Sequence, residues 1–358
     1  MMRYLAPMSS AALTLALAPM QGIIDATMRE QLTSLGGIDH CVTEFIRVGG
    51  IPVTDTVMLK AWREAAHGGR TGAGTPVHPQ LLGSDLGRMT FAARRLAELG
   101  AATIDLNFGC PVRKVNGHDG GAALLRSPRR IETIVAAVRG VVPAPSAVTV
   151  KIRLGWDNPD DVVELALAAQ AGGAALVTIH GRTRSQGYQD VADWVRIGKA
   201  KAALSVPVAA NGDIRSVADL RRCREITGCD RFMIGRGAIE RPELFRVLRG
   251  IDPDFWPWQQ RLSLVVRWIE QRRVHGERDL TCLGRLKGWC QAMARTEPLM
   301  VPFFEVLKLC PSLERAGDVL RPAFQALPPG LEHDLVESRG IRTEQAGKPR
   351  ERRPADLT

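Results

Sequence analysis

Between Leu13 and Leu248 the chain alternates, eight times over, a short apolar run with an amphipathic helical pattern. Nearly every apolar run stops at a polar or glycine-containing group. Few folds accommodate that rhythm. Parallel strands need long crossovers, which helices supply, and eight such units are the pattern of a closed (β/α)8 TIM barrel. An open doubly wound sheet would need neither eight units nor polar residues at almost every strand end. The expected strands are 13–18, 40–45, 76–82, 103–107, 147–154, 175–180, 206–210 and 231–234. Helices are expected over 25–35, 53–66, 85–99, 128–139, 160–171, 193–204, 215–227 and 238–248. Asp25 is read as an N-cap, and Pro242 falls in the first turn of the last helix, where proline is tolerated. The glycine-rich stretch 68–74 reads as a mobile loop.

Past Ile251 the pattern changes. Asp252-Pro253-Asp254-Phe255-Trp256-Pro257 reads as a linker over 251–258. Helical periodicity alone follows, at about 259–275, 281–296, 298–309 and 312–327, which makes a small all-α bundle over 259–330. The tail, 331–358, is rich in Pro, Gly, Arg and Glu and is expected to be mostly disordered. Residues 1–14 form an extension ahead of a barrel at 15–250. Its Leu5-Ala6-Pro7-Met8 recurs as Leu17-Ala18-Pro19-Met20, a duplication without a physical account. The extension faintly resembles a signal peptide, but Pro7 interrupts it and it is not read as one. No run is long enough to span a membrane.

The barrel core must be aliphatic, because aromatic residues are 5% of the chain against 45% hydrophobic. A formal net charge of +10 favours a polyanionic partner, although charge speaks to partners and solubility rather than to fold. Seven irregularly spaced cysteines argue for reduced thiols and a cytoplasmic protein. Without a CxxC pair no zinc site is indicated.

Chemistry concentrates at the strand ends. Residues 103–125 run from a short strand through Asp105-Leu106-Asn107-Phe108-Gly109-Cys110-Pro111 into a glycine-rich loop over 116–121. A cysteine just past a strand end is where such a barrel keeps its chemistry; a free cysteine is equally often a small buried apolar residue. Asn211-Gly212-Asp213 and Gly235-Arg236-Gly237 follow the seventh and eighth strands, where barrels keep a phosphate site. Glycine lets backbone N–H groups approach phosphate oxygens, a helix start adds positive potential, and Arg236 adds a charged fork. Lys151 and Arg153 share one face of the fifth strand at period two. An inward Lys151 either meets a ligand or pairs with a carboxylate such as Asp105. His180 ends the sixth strand, and Gln80 offers a neutral donor and acceptor suited to a planar heterocycle. Together these groups look like a flavin site with an acid over it.

The same residues carry a resemblance. Leu17-Ala18-Pro19-Met20, Asp105 to Pro111, Gly120-Gly121-Ala122, Val150-Lys151-Ile152-Arg153-Leu154-Gly155-Trp156, His180-Gly181-Arg182-Thr183, Asn211-Gly212-Asp213 and Gly235-Arg236-Gly237 resemble the tRNA-dihydrouridine synthase family from about Leu15 to Leu327. Thr43-Glu44-Phe45-Ile46-Arg47-Val48, Gln186-Gly187-Tyr188 and Arg285-Leu286-Lys287-Gly288-Trp289 are most similar to the bacterial class acting on uridine 16 of the D-loop. The resemblance implies FMN in the barrel mouth, with Pro19, Met20 and Gln21 lining its ring system. Gln80 and Lys151 would bond the polar edge, and His180, Asn211, Gly212, Asp213, Gly235 and Arg236 would hold the ribityl chain and phosphate. Gln21 departs from the acidic residue expected in the uridine-16 class, and the segment 1–14 is atypical.

It further implies that NADPH reduces FMN, that hydride passes from flavin N5 to uracil C6, and that Cys110 protonates C5, giving 5,6-dihydrouridine. Asn107 and Arg153 are placed to read the base and Tyr188 to contact the nucleotide. Arg47, Arg285, Lys287 and Lys308 are the candidates for gripping the tRNA backbone; for each the alternative is a solvated surface charge. The expected partners are tRNA and NADPH, with no metal, no membrane and a monomeric enzyme. Two other activities fit the scaffold. One is an FMN-barrel reductase of a small pyrimidine, similar to dihydroorotate dehydrogenase, which would leave the basic bundle without a purpose. The other is a non-catalytic tRNA-binding chaperone, which would not need the cysteine.

Overall fold

The computed structural model describes residues 13–51, 53–274 and 279–325. Its organising element is a closed parallel sheet of eight strands in sequential order, β1 pairing with β8 to complete the ring. The strands are β1 Thr14–Leu17, β2 His40–Arg47, β3 Val77–Leu82, β4 Thr103–Asn107, β5 Ala147–Arg153, β6 Leu176–His180, β7 Val208–Asn211 and β8 Arg231–Ile234. Side chains alternate across each strand. On β5, Val148, Val150 and Ile152 are fully buried against the helices, so Thr149, Lys151 and Arg153 share the barrel side. The register pairs Gln80 with Asp105, Asn107 with Lys151, Arg153 with His180 and His180 with Asn211. That register gathers the polar strand ends at one mouth.

Helices wrap the ring because their apolar stripes need cover. In α5 (Pro128–Val141), Ile131, Ile134, Val135 and Val138 recur at helical spacing and are all buried. Each such side chain contributes roughly 1.5–3 kcal/mol by leaving water, and an aspartate at Ile134 would put a charge into that seam. Asp25, Asp85, Asp193 and Ser216 cap α1 (Ala26–Ser34), α3 (Leu86–Glu98), α7 (Trp194–Ala203) and α8 (Val217–Thr227), each accepting from a first-turn amide. α6 (Val162–Ala171) completes the main ring of helices, and α4 (Arg113–Asn116) is one short turn beyond β4.

Several expectations needed correction. The helix expected over 53–66 stops after α2 (Asp55–Ala61), because Trp62 leaves helical geometry to bury its indole, which donates to Val77 O at 3.1 Å. A 3-10 turn, Arg63–His67, follows. Residues 68–74, expected to be mobile, are pinned by an antiparallel bridge between Arg70 and Pro76 and by Gly72 N donating to Glu30 at 2.8 Å. The helix expected over 238–248 is two pieces, α9 (Arg236–Glu240) and α10 (Leu244–Leu248), and Pro242 lies in the break rather than in a first turn. Residues 1–12, with the repeated Leu5–Met8 segment, and the tail 331–358 lie outside the described residues.

After residues 251–257 come α11 (Trp258–Val274), α12 (Asp279–Ala294), α13 (Val301–Leu307) and α14 (Leu313–Gln325). This helical region is bound to the barrel by buried groups. Trp289 donates to Ile239 O at 3.1 Å, and Arg261 pairs with Glu243 at 2.8 Å with both side chains buried. Arg272 holds Asp25 at 2.5 Å. None of the seven cysteines is in a disulfide. Among the described residues no helix is long and apolar enough to cross a membrane.

Candidate active site

A cavity of about 430 Å³ opens at the C-terminal ends of the strands. Cys110 lies on its wall, half-buried, and the chain around it explains why the thiol sits there. Beyond β4, the Asn107 Oδ1 accepts from both Gly109 N and Cys110 N at 3.0 Å. From the next strand, Arg153 Nε donates to Gly109 O at 2.8 Å. Ala122 N donates to Cys110 O at 3.1 Å, which brings the Gly120-Gly121-Ala122 loop against the cysteine. Gly121 has φ +59, and a Cβ there would stand 3.0 Å from Cys110 Cβ. Only glycine permits that approach without displacing the loop.

The Asn107 amide continues into a buried chain. Its Nδ2 donates to Gln80 Oε1 at 2.8 Å, Gln80 Nε2 donates to Asp105 Oδ2 at 2.7 Å, and Thr149 donates to Asp105 Oδ1 at 2.6 Å. Burial pushes the Asp105 carboxyl up, against the pull of Thr149, Gln80 and Lys151. The expected pairing of Lys151 with Asp105 is therefore an influence through space. The Lys151 ammonium itself donates to Asn211 Oδ1 at 3.0 Å. Burial, followed by the Arg153 charge, lowers Lys151 to about 8.

The opposite wall is charged. Asp213 pairs with Arg182 at 2.5 Å, Arg236 at 2.8 Å and Arg215 at 3.4 Å. Burial opposes ionisation of Asp213, but the Ala192 amide, Arg182 and Arg236 outweigh it and hold the carboxyl below its usual range. Asp213 was expected among the residues holding the ribityl chain and phosphate; its carboxylate is taken up by the surrounding guanidiniums. A Cβ at Gly212, where φ is +126, would meet Ala192 Cβ at 2.9 Å, and one at Gly235 would meet Ala18 and Met20 at 3.3 Å. Both glycines line the cavity, and neither position has room for a side chain. His180 lines the same wall, and its buried Nδ1 has no partner. Burial, with Arg153, Lys151, Arg182 and Arg236 around it, keeps the imidazole well below its ordinary value and neutral. Tyr188 stands edge-on to His180 at 5.9 Å, half out of the protein.

The cavity brings together Cys110, Asn107, Arg153 and Tyr188 with Pro19, Met20, Gln21, Gln80, Lys151, His180, Asn211, Gly212, Asp213, Gly235 and Arg236. Phe45, Arg215 and Met233 also line it and were not anticipated. Phe45 could have been read from its place at the end of the second expected strand.

The residues expected to contact substrate are largely engaged elsewhere. Besides Gly109, Arg153 binds the carbonyls of Thr183 and Gly187 at 3.0 and 2.9 Å. With Asn107, it holds the cysteine turn, and both residues still line the cavity. Arg285 pairs with Glu44 at 3.1 Å and Asp25 at 3.2 Å, at the junction of barrel and helical region, and is not free to grip RNA. Lys287 donates to the carbonyls of Lys308 and Cys310 at 2.8 and 2.9 Å. Lys308 remains exposed beside Glu305, and Arg47 is exposed outside this cavity.

The family model described as "Dihydrouridine synthase (Dus)" matches residues 16–293. A tRNA-dihydrouridine(16) synthase of Aquipseudomonas alcaligenes is 40% identical, over 86% of this chain and 98% of that protein. One of the same description from Cupriavidus necator is 44% identical, over 79% and 89%. Among solved structures, a 2-naphthoyl-CoA reductase complex is similar with TM-score 0.51 at 12% identity, over 66% of this chain and 50% of that one. A histamine dehydrogenase from Rhizobium sp. 4-9 is similar with TM-score 0.50 at 16% identity, over 66% and 45%. The chain spans about half the length of these two structures, and at such identity they show the fold alone. A matching family model over most of the chain and full-length relatives at such identity place this chain in the dihydrouridine synthase family.

Proposed function

We propose that this chain reduces uridine 16 of tRNA to 5,6-dihydrouridine, in the cytoplasm, with FMN bound in the barrel mouth and NADPH as the reductant. The observation that carries the proposal is the Cys110 thiol, on a turn whose backbone Asn107 and Arg153 hold, in the wall of the cavity at the open end of the barrel. The uridine-16 assignment draws on the descriptions of the relatives.

The cavity suits FMN. An unpartnered His180 nitrogen and two glycine turns face it beside Arg236, which matches a polar chain ending in phosphate. Gln80 keeps one N–H and one lone pair beyond those it uses, and Lys151 keeps two N–H groups, enough for the polar edge of a flavin against Pro19 and Met20. When bound, the flavin supplies the hydride that opens the C5–C6 double bond of uracil. The chain's own contribution is the proton. Burial raises the Cys110 pKa, with Lys151 and Arg153 pulling back, so the thiol is protonated at neutral pH. Its proton goes to C5 as C6 takes the hydride, and solvent at the mouth restores it. Neutral His180 adds no competing acid.

Uridine must leave the loop to enter this cavity, at a cost of a few kcal/mol that is least for an unpaired base. Tyr188, with Arg153 and Arg236 at 5.1 and 5.2 Å from its ring, offers a face for the displaced nucleotide. Arg47, Lys308 and the helical region over 259–330 are assigned to the RNA backbone. The test is direct. Purified protein should carry flavin absorbance and form dihydrouridine at position 16 of an unmodified tRNA transcript; colourless protein, or tRNA left unreduced with NADPH and FMN present, would overturn the assignment.

A further inference from the structure

A second cavity, of about 640 Å³, lies at the ends of β2 and β3, separate from the site described above. The two share Val115, on the segment after Cys110, as a wall residue. A tight join of the two strands forms its floor: a Cβ on Gly83 would fall 2.4 Å from Val48 O, and one on Gly120 would fall 3.3 Å from Leu82. Arg47, from the end of β2, and Arg88, from the first turn of α3, both line it.

The charges here are unbalanced. Nearly every other mouth arginine is committed: Arg153 to carbonyls, Arg182, Arg215 and Arg236 to Asp213, Arg285 to Glu44. Among the described residues, Arg47 and Arg88 have no such side-chain contact. Facing them is Asp85, whose carboxylate accepts from Arg88 N at 2.8 Å as the cap of α3. His118 donates from Nδ1 to Lys114 O at 2.7 Å, since a carbonyl only accepts. Asp119 lies nearby but is neutralised by Arg130 at 2.8 Å. Two guanidiniums against one capping carboxylate leave a concave positive site one wall away from the reacting thiol.

We propose that this cavity seats a phosphodiester of the tRNA strand adjacent to the uridine that enters the main cavity, gripped by Arg47 and Arg88. The inference rests on the proposed tRNA substrate. A planar guanidinium matches two phosphate oxygens at once, and a strand that sends one base into the first cavity must carry its neighbouring phosphate past the rim between the two. Ile51, exposed at the edge of the second cavity, gives a flanking sugar an apolar surface.

The experiment measures binding of the full chain to unmodified tRNA as salt is varied. Arg47→Ala and Arg88→Ala should each weaken binding several-fold and reduce the slope of log affinity against log salt by about one, as loss of one phosphate contact requires. Arg222→Ala, on the outer surface of α8, should change neither, and flavin absorbance should be unaltered in all three. Unchanged slopes in both cavity variants would overturn the proposal. So would a raised KM for NADPH with tRNA affinity intact, which would give the cavity to a dinucleotide phosphate. Because binding is read without turnover, reduced slopes in a protein that made no dihydrouridine would uphold the cavity and sink the reaction instead.

Discussion

The two walls of the main cavity treat their polar groups in opposite ways. On the side of β3–β5, Thr149, Asp105, Gln80 and Asn107 satisfy one another in an unbroken chain that ends on the Cys110 amide. On the side of β6–β8, His180 Nδ1 and Arg182 Nη1 are buried without partners, and three arginines crowd one aspartate. A linked wall of that kind holds one atom in place without a ligand, with one N–H and one lone pair of Gln80 left over for one. Unsatisfied buried groups cost about 1–3 kcal/mol each, so the second wall gains when something binds. The first wall is therefore built to position and the second to bind, and substitutions should separate along that line.

The largest effect belongs to the first wall. Cys110→Ala should lower dihydrouridine formation by ~10²–10⁴-fold, the usual worth of a positioned acid, while flavin content and tRNA affinity stay as they were. Full turnover in that variant would remove the thiol from the reaction and dissolve the contrast. Gly121→Ala should follow, because the new methyl would press on Cys110 from 3.0 Å at a φ of +59. A displacement of that kind costs on the order of 10²-fold in rate, measurable as a fall in kcat with flavin binding unchanged. Equal losses of kcat and flavin would mean the walls are not independent.

The second wall should respond in binding. Arg236→Ala removes a charged donor beside Gly235, and losing a hydrogen bond to a charged group weakens affinity by about tenfold or more. Titration with FMN reads this directly. The rate at which an alkylating reagent reaches Cys110 should not move, because none of the groups holding the cysteine turn comes from β8. A change in thiol reactivity with no change in FMN affinity would reverse the roles of the walls.

Much of this was legible in the chain. The strands are short apolar runs with polar ends, and closure needed only their number. Every residue expected around the cofactor lines one cavity, because period-two alternation on parallel strands in register leaves polar strand-end residues no other place. What could not be read was which groups meet across the fold. Arg285 looks like an RNA contact because its partners Asp25 and Glu44 stand more than two hundred residues away in the chain. That Arg153 also holds the cysteine turn could not be read, because its acceptors are carbonyls, which leave no trace in side-chain identity. Asp213 reads as part of a phosphate loop until Arg182 arrives from the neighbouring strand end. Helix breaks at Trp62 and Pro242 were missed for a related reason: burial of one indole, and the turn between α9 and α10, outweigh local helical pattern.

Lys151 joins the two walls and carries the smallest but most diagnostic effect. Its ammonium bonds Asn211 on β7, while Asp105 and Cys110 on the other side favour its charge. Burial and Arg153 dominate and bring it down to about 8. In an unfolded chain a lysine titrates near 10.4. Between those two values the unfolded chain keeps a proton that the folded protein has released, so this group makes the ligand-free fold more stable as pH rises through the window. Below about 8 both states are protonated and the penalty is constant. Denaturant midpoints measured across the window should show that rise, and Lys151→Met should flatten it. An anionic ligand against the ammonium favours the charged form, so FMN should bind more tightly below that pKa and lose affinity, by a few-fold, as pH climbs through it. If FMN affinity stayed flat there in the wild type, Lys151 would not face the ligand, and the positioning wall and the binding wall would share no charge.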